Sequence, residues 1–322
     1  MQSLTDPSCP RCGSSVFRPH LSADAIERDI RIREDFVYRR FDYEPERSEL
    51  MDLTEFMHGD VGQLVVCARC GIVAREEDTD AHYADDAYDH ELMGHMYPRY
   101  LDAFRAKQKQ YQELLPPKAE VIEAGSHLGA FLEVAEDWDW RPTGLDIGED
   151  TSSFARRRGL RVRRETAEDA KLPPHAAHGL FLWNCFDQLE RPADLLRSAH
   201  RILGRHGLLV VRTPNVAFYE RLHREAERNP QAIKDLAYNN LLGFPYRWGF
   251  TPLTLTELCE THGFEPLIGF DSTLLTMPFP EPSARVKRET AEVNQKYESV
   301  EPVSPKSLKG PWIEVVCRKK RE

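Results

Sequence analysis

Hydrophobic and polar positions follow a regular order from residue 120 onward, where short apolar runs alternate with amphipathic segments. Short apolar runs predict strands, and apolar residues at three- and four-residue spacing predict helices. The predicted strands are 121–124, 142–146, 160–163, 179–183 and 207–213, and the predicted helices are 130–138, 151–158 and 193–203. This order predicts an α/β fold with a parallel sheet, helices on both faces, and a ligand site beyond the carboxyl ends of the strands.

The pattern upstream of residue 120 is less regular. It predicts a helix at 22–33, a strand at 36–41, a second helix at 48–58, and a further helix over 97–115 that Pro116 and Pro117 end. These predictions divide the chain into three parts. They are an N-terminal module with an insertion at 1–95, a helical linker at 96–118, and an α/β domain at 119–322.

Four cysteines of the N-terminal module form two Cys-x-x-Cys-Gly motifs, and they are Cys9, Cys12, Cys67 and Cys70. Zinc binds four thiolates or imidazoles in a tetrahedron, and each motif offers two thiolates from one tight turn. Four protein ligands leave no open position on the metal. The spacing therefore predicts a closed, structural zinc site, with four free thiols or a redox pair as the alternative.

Charge and composition exclude several kinds of partner. The 322-residue chain has 43 basic and 53 acidic residues, and its net charge of -10 argues against a surface that binds nucleic acid. No apolar run approaches the roughly 20 residues that span a bilayer, so we expect no membrane partner. The N-terminus lacks the features of an export signal, and the unpaired cysteines suit a reducing compartment. We expect a cytoplasmic protein, and its oligomeric state stays open.

The turn after the first predicted α/β strand reads Glu-Ala-Gly-Ser-His-Leu-Gly at residues 123–129. Gly125 and Gly129 stand where the backbone must approach a ligand closely. Asp146 ends the next predicted strand, and a carboxylate at that place can accept hydrogen bonds from both ribose hydroxyls of an adenosine group. The loop and this acidic residue together indicate a cofactor that contains a nucleoside.

Five motifs of the α/β domain follow in order: EAGSHLG at 123–129, GLDIG at 144–148, DQLERP at 187–192, LGRHGLLVVRTPN at 203–215 and GFTPLTLTEL at 249–258. With these motifs, residues 120–270 resemble a class I S-adenosylmethionine-dependent methyltransferase. The two preceding Cys-x-x-Cys-Gly motifs resemble the subgroup with an N-terminal zinc-binding module. The resemblance implies a Rossmann-like seven-stranded sheet with a small zinc-ribbon-like domain. It also implies S-adenosylmethionine as cofactor and a structural zinc ion.

The resemblance assigns residues to parts of the cofactor. Those that line its methionine and ribose end are Glu123, Gly125, Ser126 and Gly129. Asp146 is expected on the ribose and Ile147 against the adenine. Glu168 or Asp169 is expected to bind the adenine amine, and Asn184 lies at the boundary between cofactor and acceptor.

Three positions depart from the family pattern. His127 stands at the middle glycine of the loop, Asp187 and Gln188 replace a Glu-His pair, and His206 replaces one of two glycines. His127 adds bulk beside the cofactor, and Gln188 removes a histidine that could act as a base.

Methyl transfer from a sulfonium mainly needs an in-line approach in a dry site, and a base is needed only for an acceptor that must lose a proton. The resemblance places the cover of the acceptor at about 215–250. Tyr219 and His223 are four residues apart and so share a helix face. Together with Asn184 they are the candidate catalytic residues, with a surface pair as the alternative for Tyr219 and His223.

We expect a small-molecule acceptor: a sugar, a lipid-linked molecule or a secondary metabolite. An RNA methyltransferase and a non-catalytic relative that binds the cofactor are the alternatives. An NAD-dependent enzyme fits less well, because the Thr-Pro-Asn strand end and a late strand at 312–317 suit the methyltransferase sheet better.

Overall fold

The computed structural model describes residues 8–38, 62–76, 90–229, 232, 235–236, 246–273 and 284–321. The strands are β1 (Phe17–Leu21), β2 (Leu64–Cys67), β3 (Val73–Arg75), β4 (Glu120–Ala124), β5 (Arg141–Leu145), β6 (Val162–Arg163), β7 (Ala177–Leu182), β8 (Leu203–Pro214), β9 (Trp248–Gly249), β10 (Phe264–Ser272) and β11 (Trp312–Lys319). The α-helices are α1 (Ala23–Tyr38), α2 (His90–Ala106), α3 (Gln108–Tyr111), α4 (Ala130–Asp137), α5 (Glu149–Arg157), α6 (Pro192–Ile202), α7 (Val216–Ala226), α8 (Pro252–Thr261) and α9 (Ala284–Tyr297). Short 3-10 helices cover Gln112–Leu114, Phe186–Gln188 and Pro305–Ser307.

Seven strands form the central sheet in the order β10-β11-β8-β7-β4-β5-β6. Strands β4 to β8 are parallel, whereas β11 is antiparallel to both β8 and β10. The chain leaves β4 toward β5 and β6 on one side, then returns to build β7 and β8 on the other. The predicted seven-stranded α/β sheet is confirmed, and its switch point lies between the carboxyl ends of β4 and β7.

Within the α/β domain the five predicted strands and three predicted helices are confirmed, with ends that differ by a few residues. The strand predicted at 36–41 is wrong over 36–38, because α1 continues through Tyr38, and residues 39–41 lie outside the described residues. No glycine or proline interrupts this helix, and Arg31 pairs with Glu27 one turn earlier. The apolar residues at its end are helical despite their β propensity. The helix predicted at 48–58 lies outside the described residues.

Helix α2 and the turns after it pack into the core of the central sheet. Tyr97, Phe104 and Tyr111 are buried in one hydrophobic cluster with Phe131 of α4 and Trp183 beyond β7. The segment expected as a linker therefore belongs to the packing of the α/β domain. Among the described residues, no helix is both long and apolar enough to cross a membrane.

A second, four-stranded sheet joins the N-terminal module to the α/β domain. Its order is β1-β2-β3-β9, and β9 comes from the chain between β8 and α8. Val73 of β3 pairs with Gly249 of β9 in antiparallel register. Cys9 and Ile72 of the module share a hydrophobic cluster with Ile122 of β4. The module and the domain thus have one continuous core.

Candidate active site

The loop at residues 125–129, which we call the cofactor loop, has a left-handed backbone at three positions. Gly125 has φ 72° and Gly129 has φ 79°, and His127 between them has φ 46°. A Cβ atom on Gly125 would lie 2.8 Å from the Cβ and Sγ atoms of Cys185, so a side chain does not fit there. His127 adopts the backbone region that glycine favours, so this departure from the family pattern retains a left-handed loop.

Asp146 lies directly after β5 and holds the cofactor loop. One of its carboxylate oxygens, Oδ2, accepts a hydrogen bond of 2.6 Å from the backbone N–H of His127. The other, Oδ1, accepts bonds from the N–H of Gly148 at 2.9 Å and the hydroxyl of Thr151 at 2.8 Å. A carboxylate can accept about four hydrogen bonds, so one position stays open for a ligand hydroxyl. The neighbouring Ile147 is 41% exposed and offers an apolar surface.

Two polar side chains below the loop are buried without a hydrogen-bond partner among the described residues. They are the Oε2 atom of Glu123 at the end of β4 and the Oγ atom of Ser126. Each residue is 3% exposed. Burial, and then the charge of Asp146, raise the pKa of Glu123 well above its ordinary value. Unsatisfied polar atoms are rare in protein interiors, and a ligand with hydrogen-bond donors would satisfy both. These residues fit S-adenosylmethionine.

The two acids after β6 differ in their surroundings. Asp169 forms a turn with Thr166, whose hydroxyl both donates to the carboxylate at 2.9 Å and accepts from the Asp169 N–H at 3.1 Å. Glu168 is exposed beside it. Since the carboxylate of Asp169 serves this turn, Glu168 is the freer of the two for an adenine amine.

Asn184 follows β7 and is held by a buried arginine. The guanidinium of Arg212 donates to the side-chain oxygen of Asn184 and lies 3.3 Å from the Glu314 carboxylate. Glu314 also accepts bonds of 2.5 Å from Lys107 and from the Tyr111 hydroxyl. Burial lowers the pKa of Arg212 to about 10, although Glu314 opposes that effect. This cluster was not predicted from the sequence, where its signal is a charged residue next to a run of apolar residues in each of two strands, Arg212 in β8 and Glu314 in β11.

Asp187, in the 3-10 helix after β7, is fully buried. Neither of its carboxylate oxygens has a hydrogen-bond partner among the residues that the structure describes. Burial raises the pKa of Asp187 well above its ordinary value, and the charge of Arg212 opposes this. Its backbone carbonyl accepts a bond of 2.9 Å from the N–H of Arg247, just before β9. Gln188 donates to the carbonyl of Asn184 at 2.6 Å.

Tyr219 and His223 share one face of α7, and both contact Asp29 of α1. The Tyr219 hydroxyl donates to Oδ2 of Asp29 at 2.8 Å, and Nδ1 of His223 lies 2.7 Å from the same oxygen. Asp29 is 1% exposed, and its Oδ1 atom has no partner among the described residues. Burial, followed by the charge of Asp29, raises the pKa of Tyr219. Sequence spacing gave the Tyr219–His223 pair but not Asp29, which lies about 190 positions away on the chain.

The sulfur atoms of Cys9, Cys12, Cys67 and Cys70 lie within 4.8 Å of one another. The distance between the Cys9 and Cys70 sulfurs is 3.3 Å, and that between Cys12 and Cys67 is 3.6 Å. A zinc–sulfur bond of about 2.3 Å places tetrahedral sulfur pairs about 3.8 Å apart. Burial tends to raise the pKa of Cys67, but hydrogen bonds from the backbone of Arg69 and Cys70 outweigh it and lower the pKa to about 7. These four side chains could hold a metal ion.

Comparison with known proteins gives the family. The family model described as a methyltransferase domain matches residues 93–267, which is more than half of the chain. No curated protein matches this sequence.

Three solved structures have similar folds. A chain of the Haloferax volcanii complex between the Trm112 methyltransferase activator and a methyltransferase is 13% identical, covering 75% of this chain and 99% of that one, with a TM-score of 0.51. An S-adenosylmethionine-dependent methyltransferase of Thermotoga maritima is 21% identical. The match covers 72% of this chain and 92% of that one, with a TM-score of 0.45. The 1,6-didemethyltoxoflavin-N1-methyltransferase of Burkholderia thailandensis is 13% identical. The match covers 80% of this chain and 98% of that one, with a TM-score of 0.44.

At 13% identity the structure with a TM-score of 0.51 bears on the fold alone, and the family rests on the matched domain. The matched residues include the cofactor loop, Asp146 and the turn after β7. The chain belongs to the methyltransferase domain family and is an S-adenosylmethionine-dependent methyltransferase.

Proposed function

We propose that this enzyme methylates a small-molecule acceptor that binds between the turn after β7 and helix α7. The observation that carries this proposal is the contact of Asp29 with Tyr219 and His223. Helix α1 is packed against α7 by these bonds, so α1 would cover the side of the proposed site beyond β8. Such a cover suits a small acceptor better than a long nucleic acid. The net charge of -10 favours the same choice.

In this proposal His223 is the base. In this proposal the Asp29 carboxylate accepts a hydrogen bond from the Nδ1–H group of His223. The Nε2 atom of His223 is then left as the proton acceptor. It takes the proton that an acceptor hydroxyl or amine loses when it is methylated, and Asp29 stabilises the resulting imidazolium. Tyr219 fixes the Asp29 carboxylate, and Asn184, held by Arg212, orients the acceptor. S-adenosylmethionine supplies the activated methyl group on its sulfonium.

The cofactor is proposed to bind through the residues that the resemblance assigned. Asp146 accepts a ribose hydroxyl at its open position, Ile147 packs on the adenine, and Glu168 or Asp169 binds the adenine amine. Glu123 and Ser126 take polar groups of the methionine and ribose end, next to the backbone of Gly125 and Gly129. Calorimetric titration should show that Asp146→Ala weakens S-adenosylmethionine binding at least ~10-fold, since a lost charge-assisted hydrogen bond costs about 1.5–3 kcal/mol. Asp102→Ala, at an exposed position of α2, is the control.

Zinc is proposed as the occupant of the four-cysteine cluster. The sulfur distances and the four-thiolate donor set favour a closed tetrahedral site. Such a site has no open coordination position, so the metal stabilises the module and takes no part in methyl transfer.

The acceptor proposal is tested by measuring S-adenosylhomocysteine formation with the small-molecule fraction of a cell extract. We expect product with the wild type, and a loss of about 100-fold in rate for His223→Gln and Asp29→Asn with unchanged cofactor affinity. His20→Gln is a matched control, because His20 forms a second contact to α7, 2.9 Å from Glu220, without touching Asp29. Product formed only with the RNA fraction would instead favour the RNA methyltransferase. No product in either fraction, despite cofactor binding, would favour the non-catalytic relative.

A further inference from the structure

The carboxyl ends of β7, β8 and β10 lie at one edge of the central sheet. Strand β11 is antiparallel to both β8 and β10, so those two strands run in the same direction, and β7 is parallel to β8. Asn184 follows the end of β7, and Thr273 follows the end of β10. The match to the methyltransferase domain ends at residue 267. The two residues therefore share an edge of the sheet, although only Asn184 belongs to the matched domain.

The buried side chain of Arg212 connects Thr273 to Asn184. One terminal nitrogen of its guanidinium donates to the side-chain oxygen of Asn184, and the other donates to the backbone carbonyl of Thr273. Arg212 is 0% exposed and Thr273 is 1% exposed. A guanidinium is planar and its donors have a fixed arrangement, so a shift of the carbonyl at one nitrogen also moves the other nitrogen. The position of the Asn184 side chain thus depends on the end of β10.

Helix α9 and the residues after it fix the end of β10, which is an edge strand of the sheet. The Thr273 hydroxyl donates to the carboxylate of Glu298 at 2.6 Å and lies 2.9 Å from the side-chain oxygen of Asn294. Ser299 bonds to both backbone groups of Asp271: its N–H donates to the carbonyl at 3.0 Å, and its hydroxyl oxygen accepts from the N–H at 2.7 Å. Residues 294–299 therefore hold Thr273 in place.

The same helix contacts α7. The ring of Tyr297 lies edge-on to that of Phe218, with 5.1 Å between the ring centroids, and Phe218 is 1% exposed. Phe218 directly precedes Tyr219, whose hydroxyl bonds to Asp29 of α1. Helix α9 is therefore connected both to Asn184 and to the helix that carries the proposed base.

We propose that Thr273 is a positioning residue for methyl transfer: α9 holds Thr273, and Thr273 holds Asn184 through Arg212. This inference rests on the proposed function, in which Asn184 orients the acceptor. Transfer needs the acceptor atom in line with the sulfonium, so a displaced Asn184 lowers the rate of the bound complex more than it weakens binding. These bonds include none of the residues assigned to the adenosine end of the cofactor, so cofactor affinity is independent of them.

Thr273→Val tests the proposal, because it retains the shape of the side chain and removes the hydroxyl. The probe is a dilution series of the small-molecule fraction of a cell extract, with S-adenosylhomocysteine as the measured product. We expect the saturating rate to fall about 10-fold, while the half-saturating amount of the fraction and the affinity for S-adenosylmethionine each change by less than about threefold. Thr273→Ser retains the hydroxyl and should recover the rate. Thr261→Val is the matched control, because the Thr261 hydroxyl bonds to the Glu257 carbonyl at 2.7 Å on the exposed side of α8.

Hydrogen exchange separates this inference from the proposed function. Exchange of residues 183–189 should increase in Thr273→Val and stay unchanged in Thr261→Val. If the wild type forms no product with the small-molecule fraction, the proposed function fails, and the exchange of residues 183–189 alone decides the positioning role.

An unchanged saturating rate or unchanged exchange of residues 183–189 in a folded Thr273→Val protein would overturn the proposal. If that variant does not fold, a protein with alanine at both Asn294 and Glu298 replaces it, since neither residue is buried and both contact the Thr273 hydroxyl. The same loss of rate and the same increase in exchange are expected there, and their absence contradicts the proposal.

Discussion

At the residue scale, the cofactor loop depends on backbone conformation more than on side chains. Gly125, His127 and Gly129 all have positive φ, and the N–H of His127 is tied to Asp146. His127 accommodates a side chain at positive φ, and its ring lies edge-on to Tyr100 with 5.7 Å between ring centroids. Gly125 has no such freedom, because Cys185 occupies the space.

We predict that Gly125→Ala lowers both stability and cofactor affinity. The added methyl group would clash with Cys185 as well as strain the backbone, and the two effects together cost about 2–4 kcal/mol. Gly159→Ala is the matched control, because Gly159 has φ 86° but nothing within 4 Å of the added atom. It should lose only about 1 kcal/mol and leave cofactor binding intact. If urea unfolding showed that both variants lose the same free energy of unfolding, the clash with Cys185 would have no effect.

Asp187 gives a prediction on pH. Folding raises the pKa of this acid. The resulting contribution to stability is fully present at a pH below the unfolded-state pKa, here 3.8, and is lost as the pH rises through the folded-state pKa. Asp187→Asn removes the acid and should therefore raise the thermal midpoint of the ligand-free protein at neutral pH, by about 2–4 °C for each kcal/mol gained. Near pH 4 the increase in thermal midpoint should be smaller. A gain that is independent of pH, measured by scanning calorimetry, contradicts the burial of an unpaired acid.

At the element scale, strands β8 and β11 carry a buried ion pair next to runs of apolar residues. Arg212 and Glu314 are directly opposite in antiparallel register, both fully buried, and the guanidinium lies 4.0 Å from the ring centroid of Trp312. Burying one partner alone is costly, so the pair fixes the register of β11 as well as the position of Asn184.

We predict that Glu314→Gln destabilises the protein by about 3–5 kcal/mol, because it leaves the charges of Arg212 and Lys107 buried without their carboxylate. Glu265→Gln is the control, since Glu265 also pairs with an arginine across two strands, Arg318 at 2.8 Å, but at the surface. Glu265→Gln should lower the free energy of unfolding by about 0–1 kcal/mol. Similar midpoints for the two variants in chemical unfolding would contradict the burial of the pair.

At the scale of the whole molecule, the N-terminal module and the α/β domain are joined by β9 and by a common hydrophobic cluster. A few hydrogen bonds connect the strands of the N-terminal module to the turn after β7. Arg75 of β3 bonds to the carbonyl of Arg247, whose own N–H bonds to Asp187, and the Trp248 indole bonds to the carbonyl of Leu189 at 2.8 Å. A metal ion bound by the four cysteines would therefore support the turn after β7.

We predict about one zinc ion per chain by elemental analysis, and a stability loss of several kcal/mol when a chelator removes it. The chain should unfold in one transition, and hydrogen exchange of residues 247–250 should increase after metal removal. Cys67→Ser should lose the zinc, whereas Cys259→Ala, at a buried cysteine outside the cluster, should retain it. A metal-free protein with the same thermal midpoint would refute the structural role.

The sequence by itself determined the strands and helices of the α/β domain and, through its resemblance to the family, the class of cofactor. Strand and helix periodicity is sufficient for the elements, and Gly125, Gly129 and Asp146 for predicting a cofactor turn, because neighbours in the chain fix a turn and a strand end. The close approach of four cysteines was also predictable from two Cys-x-x-Cys-Gly motifs.

Only the tertiary structure decided which distant residues meet. Asp29 reaches His223 across 194 positions, and Glu314 reaches Lys107 across 207, and no local pattern encodes either contact. The strand predicted at 36–41 was wrong over 36–38 for a related reason, since aromatic and β-branched residues are compatible with either a strand or a helix and do not decide between them. The burial of Asp187 is likewise a property of the assembled sheet, because an acidic residue in a sequence is expected in water unless other elements enclose it.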